Sequence, residues 1–383
     1  MTNTPSASGA AGSPGVAVIG YAFMGKAHSH AWRNVASLRP GAPGVRQQVL
    51  VGRDAEAVAT AAGQYGWAES ATDWRAVIER DDIDIVDVCV PGHLHAEVAI
   101  AALEAGKHVI AEKPLANTLA EAEKMVATAR AAREHGVHSM VGFNYRRVPA
   151  LALARRHIAE GRIGDVRQVR VSYLQDWLAD DAAPMTWRLR RELAGSGALG
   201  DLGSHAVDQV RFLLGQEVTA VNALTHTFVR ERQGADGPEE VSVDDAAWGT
   251  LRTDGGALVS LEVTRMATAR KNALGIEVYG SNGALRFDLE SLNHLDLCLD
   301  GSEGFRRVLV TDQDDPYIDG WWPPGHVLGW DATFTNQAAD FLAALAAGEE
   351  PTPSFEDGLA VQRVLAAVEA SSARGGSCVD VDA

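Results

Sequence analysis

In the first third of the chain, short apolar runs alternate with longer stretches whose apolar positions recur every three or four residues. Residues 16–20, 48–51, 85–90, 108–111 and 137–141 read as strands, and 26–38, 55–65, 93–105 and 119–135 as helices. A strand that is apolar throughout has both faces covered, whereas a 3.6-residue period marks a helix with one covered face. The alternation therefore predicts an α/β unit, a doubly wound parallel sheet with helices on both sides. After Gly142 the rhythm changes. One helix over 149–160 is followed by β-rich text at 166–173, 218–230, 246–252 and 257–263, and helices return at 333–347 and 355–373. Gly234-Ala-Asp-Gly-Pro238, Thr253-Asp-Gly-Gly256 and Gly280-Ser-Asn-Gly283 are turn signals. The second half thus predicts an α+β domain on a large, mostly antiparallel open sheet, and the expected division is 1–14, 15–142 and 143–383. Residues 1–14, rich in Ser, Ala, Gly, Pro and Thr, read as a disordered tail.

Composition narrows the partners. The 383 residues are 46% hydrophobic and 22% charged, as in ordinary folded domains. With 34 Lys and Arg against 51 Asp and Glu, the net charge of −17 repels nucleic-acid phosphates and anionic lipid, so neither nucleic acid nor membrane is expected as a partner. No apolar run approaches the roughly 20 residues that span a bilayer. The N-terminal residues lack a basic cluster followed by an apolar core, so they do not read as a secretory signal. Cys89, Cys298 and Cys378 are widely spaced, without a C-x-x-C, and form neither a disulfide framework nor a metal knuckle. A cytoplasmic location is expected.

The chemistry starts at Gly20-Tyr-Ala22-Phe23-Met24-Gly25, between the first strand and the first helix. That is where the backbone and helix N-terminus of a dinucleotide site receive a pyrophosphate. The spacing is G-x-A-x-x-G, with Ala22 in place of the usual middle glycine. At the end of the second strand, Gly52 stands where NAD sites carry an acid, and Arg53 is placed to pair with a 2′-phosphate. This favours NADP over NAD; the other reading is a solvated Arg53 beside a helix-capping Asp54. Glu112-Lys113-Pro114 follows the fourth strand, which aims Lys113 at the crevice beyond the strand ends. Asp201 and His205 lie four apart in Gly195-Ser-Gly-Ala-Leu-Gly-Asp201-Leu-Gly-Ser-His205 and would share one helix face. A His beside a carboxylate suits proton transfer near neutral pH, while a capping Asp with a structural His is the plainer alternative.

Gly20–Gly25, Val90-Pro91-Gly-His-Leu-His95, Glu112-Lys113-Pro114 and Gly200-Asp201-Leu-Gly-Ser-His205, in this order, resemble the Gfo/Idh/MocA family of oxidoreductases, and Tyr173-Leu-Gln-Asp176-Trp177 with Pro184-Met-Thr-Trp187-Arg188 resembles its branch of inositol and levoglucosan dehydrogenases. The resemblance implies an N-terminal Rossmann domain and a C-terminal open sheet that carries substrate and mediates dimer or tetramer assembly. It implies hydride transfer between a nicotinamide, NADP or NAD, and a ring hydroxyl carbon of a sugar, anhydrosugar or cyclitol. By position, Lys113, Asp201 and His205 become the catalytic trio. His205 takes the hydroxyl proton, Lys113 holds the oxygen, and Asp201 orients them or holds a neighbouring hydroxyl. Pro91, His95 and Glu112 join the cofactor lining, with His95 also readable as a plain helix N-terminal residue.

Asp176, Trp187 and Arg188, in polar and aromatic text that suits carbohydrate, are expected in the substrate pocket. His326, after Trp321-Trp-Pro-Pro, is the outer-pocket candidate; those tryptophans equally suit packing between subunits. Residues 144–147 and 270–272 are further candidates. No metal is expected: His28 and His30 do not share a helix face, and His93 and His95 lack a third ligand at metal spacing. Two other functions stay open, a redox-neutral glycosidase or epimerase with tightly held nicotinamide, and a non-catalytic nucleotide sensor.

Overall fold

The computed structural model describes residues 13–299 and 301–381, so 1–12, most of the expected tail, lie outside it. Six parallel strands form the first sheet: β1 (Gly15–Ile19), β2 (Arg46–Val51), β3 (Glu69–Ala71), β4 (Ile85–Val88), β5 (His108–Ala111) and β6 (Ser139–Val141). Their order, β3-β2-β1-β4-β5-β6, reverses direction between β1 and β4, and the crevice at such a switch point is where this fold binds ligands. Helices α1 (Phe23–Leu38), α2 (Ala55–Tyr65), α3 (Trp74–Ile78), α4 (His95–Glu104) and α5 (Leu119–Arg133) connect them. Period-two alternation explains the buried strands: Val16 and Val18 of β1 join one apolar cluster while Ala17 and Ile19 join the other. The sequence pattern gives no hint of β3 and α3, because β3 is a polar, largely exposed edge of three residues.

The second half runs through α6 (Pro149–Ala159), β7 (Val166–Leu174), α7 (Arg191–Ala194), α8 (Ser204–Leu214), β8 (Val218–His226), β9 (Glu231–Gln233), β10 (Pro238–Glu240), β11 (Ala246–Thr253) and β12 (Leu258–Thr264). It continues through β13 (Ala273–Gly280), β14 (Ala284–Asp288), β15 (His294–Cys298), β16 (Arg306–Leu309), α9 (Ala332–Ala347), α10 (Phe355–Ala373) and β17 (Val379–Asp380). Nine strands make one sheet, β16-β15-β14-β13-β7-β12-β11-β8-β17, in which β7 and β12 pair parallel and the other described pairs are antiparallel. One face is covered by helices. The other is open and carries the exposed Leu224, Trp248 and Leu258. Strands β13–β16 extend the sheet beyond the runs read from sequence, because Glu277, Arg286 and Asp296 interrupt their apolar text. Those charges lie on the open side, where Arg286 and Arg307 both pair with Asp296.

The division at residue 143 is not clean in packing. Phe334, Ala338, Phe341 and Leu342 of α9 share a core cluster with Val16, Val18, Ile85 and Ile110, and Val141 N–H donates to Pro353 O. The chain returns to the first sheet after building the second, which holds the crevice between them.

Candidate active site

The turn after β1 is shaped for close backbone approach. Gly20 has φ +111°, and a Cβ there would lie 2.5 Å from Cys89 O; a Cβ on Gly25 would lie 1.9 Å from Gly20 O. Helix α1 starts at Phe23, earlier than the sequence pattern suggests, with Ala22 at its N-cap, no capping side chain and no acid in the first turn. Its first N–H groups thus keep their capacity for an anion, and the positive end of the helix favours one. The residues fit a dinucleotide pyrophosphate. At the end of β2, a Cβ on Gly52 would fall 2.1 Å from the Tyr21 ring, so glycine is required there by Tyr21. Asp54 Oδ1 caps α2 by accepting from Ala57 N, and Arg53 is exposed without an ion pair among the described residues.

A cleft of about 800 Å³ opens beyond the strand ends, lined by Ala22, Phe23, Met24, Pro91, His95, Glu112, Lys113, Trp187, Arg188, Asp201 and His205 among others. It gathers most of the side chains singled out from sequence. Lys113 sits in a turn whose bond to Pro114 is cis, and its Nζ donates to Asp201 Oδ1 at 3.1 Å and to Asp201 O at 2.9 Å. Asp201 is on a π-helical turn, Leu199–Gly203, that runs into α8. The Asp244 carboxylate accepts the N–H groups of Gly197 and Leu199, and a Cβ on Gly197 would lie 1.7 Å from Asp244 O. Glycine at 197 therefore lets this turn dock on Asp244. Asp201 and His205 face the same cleft, but the Asp201 carboxylate bonds to Lys113 and no Asp201–His205 hydrogen bond forms.

His205 is 5% exposed, its ring packed on Tyr145 at 4.5 Å between centroids and edge-on to Phe143 and Tyr173. Its Nδ1 is buried without a partner, leaving Nε2 for the cleft. Burial first, and the Lys113 charge second, hold the imidazole pKa well below its usual value against the opposing pull of Asp201. Burial alone would raise Asp201, but Lys113 and Arg265 outweigh it and hold the carboxyl at about 2. The cleft therefore combines a neutral base, an ammonium and a carboxylate at pH 7. His95 is a strut, its ring nitrogens against Val90 O and Pro114 O at 2.9 and 3.0 Å, and burial depresses its pKa.

Two expected residues fall elsewhere. Asp176 turns away to Lys271 Nζ at 2.6 Å and Ala269 N, while its neighbours Gln175 and Trp177 line the cleft. His326 lies in an exposed loop with Nδ1 against Pro323 O, outside the cleft lining, and Trp321 bonds Asn336 of α9. Of the weaker candidates, Asn144, Tyr145 and Asn272 do line it, whereas Arg146 and Arg147 are bound to Asp208 and Asp340.

The wall is tied together by contacts that the sequence alone does not show. Tyr145 Oη and Tyr173 Oη share a 2.9 Å bond, Tyr173 and Gln175 both donate to Asn272 Oδ1 at 2.7 Å, and Trp330 Nε1 donates to Tyr145 Oη at 3.3 Å. Phe23 of the cofactor turn stacks on Trp330 with centroids 5.5 Å apart. Arg265, 1% exposed, borders the cleft beneath Trp177 and donates to Asp244 O. A lone Arg after an apolar strand gave no signal of this.

A dinucleotide turn at a Rossmann switch point, opening onto a buried base, an ammonium and a polyol-sized wall, defines an NAD-binding oxidoreductase. Residues 15–143 match the model of the oxidoreductase family with an NAD-binding Rossmann fold, and 151–286 match the GFO/IDH/MocA C-terminal domain. The chain belongs to the Gfo/Idh/MocA family. The levoglucosan dehydrogenase of Pseudarthrobacter phenanthrenivorans is 40% identical over 96% of this chain and 97% of its own length. An oxidoreductase domain protein from Kribbella flavida superposes with TM-score 0.94 at 52% identity, covering 97% of this chain and 100% of that one. Levoglucosan dehydrogenase in complex with NADH superposes with TM-score 0.93 at 41% identity, covering 97% and 99%.

Proposed function

We propose that this protein is a nicotinamide-dependent dehydrogenase that oxidises a secondary ring hydroxyl of a sugar, with anhydrosugars as the favoured class. The observation that carries it is the Lys113–Asp201 pair at 3.1 Å in one cleft with His205, facing the uncapped start of α1. When bound, the cofactor supplies the acceptor for the hydride leaving the hydroxyl carbon. His205 Nε2 takes the hydroxyl proton as the carbonyl forms, which its neutral state at pH 7 permits. Lys113 Nζ donates to the substrate oxygen and stabilises its growing negative charge. Asp201 holds the ammonium in place and has a second oxygen for a neighbouring hydroxyl. The aromatic faces of Tyr145, Trp177, Trp187 and Trp330, with Gln175, Arg188 and Asn272, suit the alternating C–H and O–H surfaces of a ring polyol.

The anhydrosugar preference rests on the full-length likeness to levoglucosan dehydrogenase. The likeness to a complex with NADH supports NAD as cofactor; on the other side, Arg53, exposed and without an ion pair among the described residues, can pair with a 2′-phosphate. Reduced-nicotinamide absorbance with NAD or NADP against anhydrosugars, aldoses and inositols tests the reading. A signal with anhydrosugars supports it. Silence across the panel with cofactor bound overturns it in favour of redox-neutral chemistry. Arg53→Ala should weaken NADP roughly fivefold, about the 1 kcal/mol of an exposed ion pair, and leave NAD unchanged; equal weakening of both would remove the phosphate-pairing role. The three cysteines are free, in keeping with a reducing compartment. No described helix is long and apolar enough to cross a membrane.

A further inference from the structure

His28 lies on α1 just past the cofactor turn, and the chemistry above gives it no part. It is 3% exposed, yet each ring nitrogen meets a carboxylate from a different strand end: Nδ1 is 2.8 Å from Asp87 Oδ2 and Nε2 is 3.0 Å from Glu112 Oε1. Trp32 Nε1 donates to the same Asp87 Oδ2 at 2.7 Å, the Cys89 thiol lies 3.5 Å from Asp87 Oδ1, and Phe334 of α9 closes the remaining side. Both ring nitrogens are engaged by carboxylates, so the cluster is a hydrogen-bond relay. Its far end is the catalytic turn, because Glu112 Oε2 accepts the backbone N–H of Lys113 at 3.2 Å. Gly142 makes room for it: a Cβ there would stand 2.9 Å from Glu112 Oε1.

A neutral imidazole has one N–H and one lone pair. Between two carboxylates it would set a lone pair against an anionic oxygen in a buried place, whereas an imidazolium donates to both. Burial opposes that charge; Asp87 outweighs it, with Cys89 adding to the effect, and the ring pKa stands well above its usual value. We propose that His28 is a positioning residue for the reaction: as an imidazolium clamped between Asp87 and Glu112, it fixes the Glu112 carboxylate and, through it, the backbone of Lys113. This rests on the reading of Lys113 as the group that holds the substrate oxygen. It joins the helix that receives the cofactor to the side chain that receives the substrate, through one buried cation.

The test is His28→Gln in the full chain, assayed with the substrate found above. The amide can serve only one carboxylate well, so kcat should fall roughly tenfold to a hundredfold, the scale of a small misplacement of a reacting group. The KM for substrate should change far less. Glu112, no longer compensated, should shift the His205 limb of the kcat pH profile to higher pH, since an added negative charge favours the protonated imidazole. Adding Glu112→Gln to that variant removes the surplus charge and should return the limb towards its original position. A His28→Gln enzyme with normal kcat and an unmoved profile, losing only thermal stability, would make His28 a plain core residue and overturn the proposal. If His28→Gln does not fold, Glu112→Gln alone, which keeps the His28–Asp87 pair, must show the loss in kcat; normal turnover there overturns the proposal equally. Lys113→Ala measured alongside separates the two ideas, because normal turnover in that variant removes the catalytic reading itself.

Discussion

At the scale of single residues, the site works by holding three ionisable groups in different charge states within one cleft. Lys113 is held against Asp201, and burial together with repulsion from Lys113 denies a proton to His205 against the opposing pull of Asp201. Lys113→Ala should lower kcat by about 10²–10⁴-fold, the range for a lost proton-transfer or oxyanion partner. Circular dichroism should show the fold retained, since the Lys113 side chain supports no core element; unchanged turnover would remove the mechanism. The His205 shift gives a second expectation. Its folded pKa lies below the unfolded value of about 6.5, so kcat/KM should hold as pH falls from about 7.5 to about 6. An acid limb centred above that range would contradict a depressed base. The linkage sign follows: in the window below the unfolded value the unfolded chain binds the proton and the folded one does not. His205 therefore costs stability as pH falls through that window, which urea titration at several pH values would register.

At the scale of elements, what was legible in the sequence is what local pattern controls. β1, β2, β4 and β5 announce themselves because both faces are covered, and α2, α5 and α10 because their apolar positions recur at the helical period, with caps at Asp54, Thr118 and Ser354 fixing their starts in the structure. The Asp176 expectation failed by one step of strand parity. Tyr173 and Gln175 continue the covered face of β7, and the intervening residues face the other way. His326 failed because residues 310–331 have no period, so only tertiary contacts such as Arg39 with the carbonyls of Tyr317 and Asp319 decide where that loop lies. Arg265 and Trp330 were invisible as wall residues because they converge from segments far apart in sequence. The phosphate turn yields a prediction at this scale. Gly25→Ala would set a methyl 1.9 Å from Gly20 O and push α1 off the turn. Cofactor affinity, read by quenching of tryptophan fluorescence, should fall by more than tenfold, on the order of 2 kcal/mol or more for overpacking against backbone. Wild-type affinity would show that the turn receives no pyrophosphate.

At the scale of the whole molecule, the open face of the nine-stranded sheet takes no part in the site described above. It forms a groove of about 920 Å³ in which Trp248 and Leu224 stand among Arg170, Glu262 and Arg286. Exposed apolar side chains on a sheet face with charges interspersed suit a self-complementary contact, and we expect a homodimer or homotetramer built on it. Sedimentation velocity should show an assembly larger than the 40.7 kDa chain, and Trp248→Glu should shift it towards monomer; a wild-type monomer at micromolar concentration would refute the expectation.

The bond between Lys113 and Asp201 also bears on how such a protein can be recombined. Its donor is encoded in the first half of the gene and its acceptor in the second, and α9 crosses back to pack on the first sheet. A chimera that joins this N-terminal half to a relative's C-terminal half near residue 143 takes the first sheet from one parent and the α9 that covers it from the other, so turnover depends on a seam that neither parent half carries alone. Substrate range in such hybrids can be traded only between parents whose halves meet in the same register.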